Sequence, residues 1–161
     1  MDALLFLSDA SVDLRLHGRD LLADDSLYTA VVISLFTDAR AGDSDELPPE
    51  YEQNDLRGFW GDALGEESIG SRLWLLAREK DRDSIRARAE QYASEALAWL
   101  TRDGLAQSVE VEAGHPTSGA CSLSVTVIYP DKRTREPRTG AWNFKINLAG
   151  GSPHALEPAN A

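Results

Sequence analysis

The spacing of apolar residues in this chain changes once, at Gly104, from a helical to an extended period. Before Gly104, apolar residues recur every three or four positions, as on one side of an amphipathic helix: Ile85, Ala89, Tyr92, Ala93, Ala96, Leu97 and Leu100. We expect Asp83 to cap this helix and Gly104 to end it in the left-handed conformation. After Gly104, apolar and polar residues alternate within 109–112, 123–127 and 142–148, which predicts three strands.

The links between the three predicted strands are too short for crossovers. They span residues 114–119 and 130–140, so neighbouring strands should pair as antiparallel hairpins. The alternation gives the sheet one apolar face, which needs cover, and one polar face. The sequence therefore predicts an α+β fold, in which N-terminal helices pack on one face of a C-terminal three-stranded antiparallel sheet, a meander.

The residues before the long helix divide into a lead-in, two further helices and a loop. Residues 1–25 are expected to form an extended lead-in with one short strand. A helix is predicted over residues 26–38, and because it is apolar nearly all round, it should lie in the core. A second, short helix should start near Ser71, which is a candidate cap. Residues 42–65 read as a long acidic loop, since Pro48-Pro49 can continue neither a helix nor a central strand.

Length and charge limit what the chain can be and what it can bind. Its 161 residues fit one domain, which we expect to span residues 1–149, followed by a disordered tail over residues 150–161. Lys and Arg total 16 and Asp and Glu total 27, a net charge of −11 that would repel nucleic acid. The longest apolar run, residues 3–7, is too short to span a membrane, and the single Cys121 excludes an internal disulfide.

Few residues have the spacing that catalysis or ligand binding requires. His17, His115 and His154 lie in unrelated segments, and neither a phosphate-binding glycine loop nor a Gly-x-Ser-x-Gly motif occurs. We therefore predict no enzyme activity, no catalytic residue, no cofactor and no metal. The alternative is a peptidoglycan hydrolase, in which Glu66 or Glu67 would form a carboxylate pair with an aspartate of the loop.

Two segments are candidates for contact with partner proteins. Phe59 and Trp60 stand between glycines in the polar loop, and they should either fold back onto the edge of the core or contact a partner chain. Residues 131–138 form a charged hairpin between the last two strands, which would either guard a sheet edge or dock onto a partner. The candidate interface residues are Arg57, Phe59, Trp60, Arg72, Lys132, Arg133, Arg135 and Arg138.

Several strings of residues together resemble a known family. They are residues 20–21 (DL), 24–27 (DDSL), 30–41 (AVVISLFTDARA), 45–48 (DELP), 57–64 (RGFWGDAL) and 69–76 (IGSRLWLL). The similarity continues through the long helix, Asp103-Gly104 and the Val-rich strands, so that it covers roughly residues 20–148. In this combination the chain resembles the Mu-like bacteriophage baseplate proteins, which are relatives of the wedge subunits of contractile tails.

The resemblance implies a structural wedge component of a contractile phage tail or a tail-like particle, without catalytic activity. Such a subunit would be present in several copies around the tail axis, with about six as the expected number. It would contact other wedge proteins, sheath subunits and the central hub or spike, and it would link the baseplate to the first sheath ring through β-edge and loop contacts. Its expected location is the tail baseplate of the virion, assembled in the cytoplasm of the host bacterium.

The chain departs from the wedge relatives in one motif. Those relatives carry Glu-Pro-Arg just after the long helix, whereas here Glu136, Pro137 and Arg138 fall in the last hairpin, so no role is carried over to them. In relatives of this kind, strands from sheath subunits extend the sheet of the wedge protein. This agrees with the open edges of the predicted meander. Besides the hydrolase, a non-viral soluble binding adaptor remains as an alternative.

Overall fold

The protein is described by a computed structural model at residues 2–8, 11–14, 16–17, 20–21, 23–24, 26–48, 56–60, 68–77 and 82–148. Within these residues, short N-terminal strands are followed by helices and then by three longer strands. The strands are β1 Asp2–Ala3, β2 Leu5–Ser8, β3 Ser11–Leu14, β4 Leu16–His17, β5 Asp20–Leu21, β6 Ala23–Asp24, β7 Ser108–Ala113, β8 Ala120–Pro130 and β9 Pro137–Asn147. The helices are α1 Tyr28–Phe36, a 3₁₀ helix Leu73–Leu76 and α2 Arg82–Arg102.

The main sheet is the antiparallel meander that the alternation predicts, with its strands in the order β7-β8-β9. In its register Val111 pairs with Val125, and Leu123 pairs with Phe144. Every second residue of the central strand β8 faces the core and is buried: Cys121, Leu123, Val125, Val127 and Tyr129. Because apolar side chains collect on one face, that face has to be covered.

Both helices contribute to this cover. The ring of Phe36 on α1 lies edge-on to the ring of Phe144 on β9, with 5.5 Å between the ring centroids. The long helix α2 packs on β7, where the carboxylate of Glu90 accepts a 3.0 Å hydrogen bond from the backbone N–H of Ala113. The predicted α+β class, with helices on one face of a three-stranded meander, is therefore confirmed.

The N-terminal residues form more β-structure than predicted. The short strands pair antiparallel, β1 with β6, β2 with β3 and β4 with β5. The Thr29 hydroxyl fastens β1 and β2 to α1, since it accepts a 3.3 Å hydrogen bond from the N–H of Leu5 and donates a 3.2 Å bond to the carbonyl of Ala3. The expectation of a lead-in with one strand was wrong because apolar residues here come in pairs, such as Leu4-Leu5, and do not alternate.

The helix ends agree with the sequence only in part. α1 is shorter than the predicted 26–38, and Ser26 accepts a 3.0 Å hydrogen bond from the N–H of Tyr28 in a turn that precedes it. α2 begins at Arg82, so Asp83 lies within its first turn and not at the predicted cap position. The prediction for Gly104 is confirmed, since its φ is +72°.

Residues 69–71 form a short bridge beside the C-terminal end of α1. The N–H of Ser71 donates to the carbonyl of Thr37, and the N–H of Ala39 donates to the carbonyl of Ser71, both at 2.9 Å. The Ser71 hydroxyl also accepts a 3.3 Å bond from the N–H of Leu73, where the predicted short helix begins as a 3₁₀ turn. Gly70 has a φ of +113°, and a Cβ there would lie 2.4 Å from the carbonyl oxygen of Thr37. Only glycine fits this approach without a shift.

Within the described ranges, no helix is both long and apolar enough to cross a membrane. The predicted tail over residues 150–161, as well as Glu66 and Glu67, lies outside those ranges.

Substitution of Gly70 by Ala should destabilise the protein more than the same substitution at Gly104. Both glycines have positive φ, but a Cβ at Gly104 would meet no atom within 4 Å. We expect Gly104→Ala to cost about 1–2 kcal/mol for the left-handed backbone alone. Gly70→Ala adds the clash with Thr37 and should cost about 3 kcal/mol or more. Urea unfolding followed by tryptophan fluorescence measures both, and equal losses would show that the bridge beside α1 can move aside.

Candidate functional site

Trp60 presents most of its side chain to solvent. It is 77% exposed, whereas the neighbouring Phe59 is half-buried. Their ring centroids are 5.4 Å apart, and the ring planes are tilted by 47°. We call residues 56–60 the aromatic turn. Of the two outcomes predicted for this pair, burial against the core edge does not apply to the ring of Trp60.

Arg57 fixes the aromatic turn to the core. Its guanidinium forms an ion pair with Asp38 and lies over the indole of Trp74, 5.0 Å from the ring centroid. Trp74 is itself buried, and its Nε1 donates a 2.9 Å hydrogen bond to the carbonyl of Ala39. A cation over a partly desolvated aromatic ring is attracted by about 0.5–2 kcal/mol. The turn that carries Trp60 is therefore anchored at its base, and the predicted interface residue Arg57 already has partners within the chain.

Arg72 ties the acidic loop to α2. It forms a 3.0 Å ion pair with Asp45 of the loop and a second ion pair with Glu95 of α2. The guanidinium carbon lies 4.7 Å from the ring centroid of Tyr92, also on α2. Since one side chain bridges two segments, its loss would release the loop from the helix. The predicted interface residue Arg72 is thus placed in an intramolecular cluster, with 27% of its side chain exposed.

The charges of this cluster stabilise one another. Burial opposes the charge of Arg72, but the hydrogen bonds to Glu95 and Asp45 outweigh burial and raise the pKa of the guanidinium. Burial likewise favours neutral Glu95, yet hydrogen bonds from Gln91 and Arg72 lower the pKa of its carboxyl. Because the folded pKa of Glu95 is depressed, its contribution to stability is present above the unfolded pKa and lost as pH falls through the folded pKa.

Asp131 organises residues 131–138, which comprise the link between β8 and β9 and the first two residues of β9, and which we call the basic hairpin. Its carboxylate accepts hydrogen bonds from the backbone N–H groups of Thr134 at 2.9 Å and Arg133 at 2.8 Å. It also forms a 3.2 Å ion pair with Arg138. The bonds from Thr134 and Arg133 are the main reason that the pKa of the Asp131 carboxyl is lowered. The hairpin therefore has a defined shape.

Three basic side chains project from this hairpin into solvent. Lys132, Arg133 and Arg135 are all exposed, and none forms an ion pair with the residues that the structure describes. Arg135 has a φ of +64°, and its backbone N–H donates a 3.0 Å bond to the carbonyl of Asp131. The predicted interface residues thus fall into three places: the aromatic turn, the Arg72 cluster and the basic hairpin.

A groove of about 1110 Å³ lies between α1, α2, the N-terminal strands and residues 68–72. Of the ionisable side chains that line it, Arg72 pairs with Glu95 and Arg102 pairs with Asp103. Nowhere in the described ranges do three or more His, Cys, Asp or Glu side chains come close enough together to hold a metal ion. The groove can offer apolar contact and ion pairs to a ligand.

The partners of the two arginines could not be identified from the sequence. Asp38 lies 19 positions from Arg57, and Asp45 lies 27 positions from Arg72, and no spacing rule connects residues so far apart. One local signal existed for Asp45, because an aspartate shortly after a glycine is typical of turns. Its carboxylate indeed accepts a 2.8 Å bond from the N–H of Gly42.

Comparison with known proteins finds one family model and two relatives that agree with one another. The sequence model of the family described as "Phage protein GP46" matches residues 27–134. "Baseplate protein gp46" of Escherichia phage Mu is 44% identical over 130 residues, which are 81% of this chain and 88% of that protein. "Mu-like prophage FluMu protein gp46" of Haemophilus influenzae is 40% identical over 146 residues, which are 90% of this chain and 98% of that protein.

These matches confirm the resemblance to Mu-like phage proteins that the residue strings indicate. The matched range contains α1, the aromatic turn, α2, β7 and β8. Identity of 40–44% is spread over most of both relatives and is not confined to one motif. The chain belongs to the phage protein GP46 family.

Proposed function

We propose that this chain is a structural subunit of a phage tail baseplate, and that as a wedge component it links the baseplate to the first ring of the sheath. The observation that supports a baseplate role is the 44% identity to a protein named as a baseplate protein, over 88% of that protein's length. At this level of identity and coverage, the same fold and the same kind of assembly are the expectation.

The aromatic turn supports a role in protein contact. An indole that is 77% exposed gains little packing energy in the isolated chain. Arg57 nevertheless fixes the base of this turn through Asp38 and Trp74, so little conformational entropy is lost when Trp60 binds. Trp and Arg are enriched among interface residues that carry most of the binding energy. We assign the aromatic turn to an interface with a neighbouring baseplate or sheath protein.

The outer strands of the main sheet support the sheath link. β7 and β9 each have one edge that no strand within the described ranges occupies. β9 is 11 residues long, so it offers an extended row of backbone donors and acceptors. A strand from a sheath subunit would add to such an edge through main-chain hydrogen bonds. A stable contact of this kind buries roughly 1,000 Å² or more in total.

The rest of the assembly follows from the same proposal. We expect about six copies around the tail axis, because tail assemblies with closed symmetry repeat each subunit. The other expected partners are further wedge proteins and the central hub or spike, with assembly in the host cytoplasm. We propose no catalytic role, in keeping with the name of the Mu relative as a baseplate protein.

Quantitative mass spectrometry of purified particles should find this chain at a small, fixed ratio to the sheath protein. When the sheath is stripped away, the chain should remain with the baseplate at an unchanged ratio to the other baseplate proteins. The control is a sheath subunit, whose amount must fall in the same sample. Absence of the chain from particles would refute the baseplate role.

Substitution of Trp60 by Ala should block incorporation into particles without unfolding the protein. The free energy of unfolding should change by less than about 0.5 kcal/mol, as for other exposed positions. If the Trp60 side chain contributes about 2 kcal/mol of binding free energy, its loss would weaken binding about 30-fold. Ile33→Ala is the matched control, because Ile33 is another large apolar residue, 43% exposed, and should incorporate normally. If Trp60→Ala lowers the thermal stability sharply, the ring belongs to the core.

The purified chain should not clear a peptidoglycan layer, and Glu66→Gln and Glu67→Gln should behave like the unaltered chain. This result separates the structural proposal from the hydrolase alternative. A muralytic enzyme of known activity serves as the positive control. Robust clearing that either substitution abolishes would establish the hydrolase and contradict the proposal.

A further inference from the structure

The charged side chains of the main sheet are separated by strand. β7 carries two acidic residues, Glu110 and Glu112, and no basic one. The central strand β8 carries no charged residue at all. The basic hairpin and the strand β9 that continues it, residues 131–147, carry five basic and two acidic residues. In a chain of net charge −11, this side of the sheet is a local excess of positive charge.

The two carboxylates of β7 project from the solvent face of the sheet. Glu110 lies opposite Thr126, and Glu112 lies opposite Ser124, so their neighbours on the same face are short. Both glutamates are exposed, and neither has an ion-pair partner among the described residues. On the far side of the same face, β9 presents the exposed Lys145. The solvent face of the sheet thus carries two glutamates on β7 and one lysine on β9, with the uncharged β8 between them.

The basic hairpin has a fixed geometry before any partner arrives. The Asp131 carboxylate holds the turn through the N–H groups of Arg133 and Thr134 and through Arg138. Since Asp131 already pairs with Arg138, the charges left for a partner are the three cations Lys132, Arg133 and Arg135 and the exposed carboxylate of Glu136. Three cations against one carboxylate leave an excess of positive charge on a preorganised turn, which matches a surface that carries carboxylates and no cation, as β7 does.

We infer that the basic hairpin of one copy of this chain docks onto the Glu110 and Glu112 side of a second copy. The two surfaces have opposite charge and lie at different places on the same chain, so the contact is head to tail and closes into a ring if the rotation permits. The inference rests on the proposed function, because several copies around one axis would bring the two surfaces into register. Charge complementarity then fixes which side of each copy faces the next.

Sedimentation velocity on the purified full chain tests this contact at about 25 mM and about 300 mM NaCl, where ionic screening differs strongly. At the low salt concentration the chain should associate as its concentration rises. The dissociation constant should increase at least tenfold at the high salt concentration. A chain that stays monomeric at the highest soluble concentration in low salt would overturn the inference.

Charge-reversal variants identify the two surfaces. Arg133→Glu with Arg135→Glu should be monomeric, and so should Glu110→Lys with Glu112→Lys, although the second variant lowers the net negative charge. An equimolar mixture of the two variants should associate again, because each supplies the surface that the other has lost. A mixture that remains monomeric contradicts a contact between these surfaces.

A matched control distinguishes the loss of the hairpin surface from the effect of a changed net charge. Arg86→Glu with Arg102→Glu changes the net charge as much as the hairpin variant, but both residues lie on α2, which packs on β7 from the apolar side of the sheet. This control should associate like the unaltered chain, and circular dichroism should show that all variants are folded. If the control is also monomeric, general repulsion and not the hairpin explains the loss.

The outcomes for the ring contact and for the baseplate role are distinct. Association of the purified chain that depends on both surfaces supports the contact even if the chain is absent from particles. Conversely, an unaltered chain that is monomeric, with a hairpin variant that fails to enter particles, would assign the hairpin to an acidic partner of different sequence. That result would overturn the contact between copies and leave the baseplate role intact.

Discussion

Burial of one face of β8 is the constraint on which the rest of this structure depends. Cys121, Leu123, Val125 and Val127 are completely buried, and strands on both sides and helices above enclose them. Each buried apolar side chain of this size contributes roughly 1.5–3 kcal/mol through removal from water. A slip of one residue in register would turn Ser122, Ser124 and Thr126 inward, so the sheet has one strongly preferred pairing. With the sheet fixed, its edges and its end hairpin are fixed as well.

The candidate contact surfaces are loops that arginines fasten to this framework. Arg57 holds the aromatic turn by stacking on Trp74, and Arg72 holds the acidic loop by stacking on Tyr92. In both cases a carboxylate completes the arrangement, Asp38 in the first and Asp45 in the second. A long polar loop would otherwise lose too much entropy on binding to be a good interface. Two arginines thus hold the loop in position, and the side chain of Trp60 remains exposed to solvent.

The sequence predicts the regular parts of the fold well and the irregular parts poorly, for a physical reason. The alternation within β7, β8 and β9 and the stripe on α2 are local patterns that burial of one face imposes directly. The N-terminal strands escape prediction because pairs such as Leu4-Leu5 obey neither period. Whether Trp60 is inside or outside depends on an anchor, Asp38, that no spacing rule connects to the loop. The hairpin charges are visible in the sequence, but only the strand order shows that β8 separates the strand of Glu110 and Glu112 from β9, into which the hairpin leads.

The contact between Phe36 and Phe144 also sets an order of events during synthesis. These rings belong to the first helix and to the last strand, so nearly the whole chain must leave the ribosome before they can meet. Until then Val31, Val32 and Leu35 on α1 lack their final cover. Contacts so distant in sequence slow folding and lengthen the time during which apolar surface can stick to other chains. We therefore expect the C-terminal meander to complete folding, and we expect a truncated product that lacks β9 to expose apolar surface of α1.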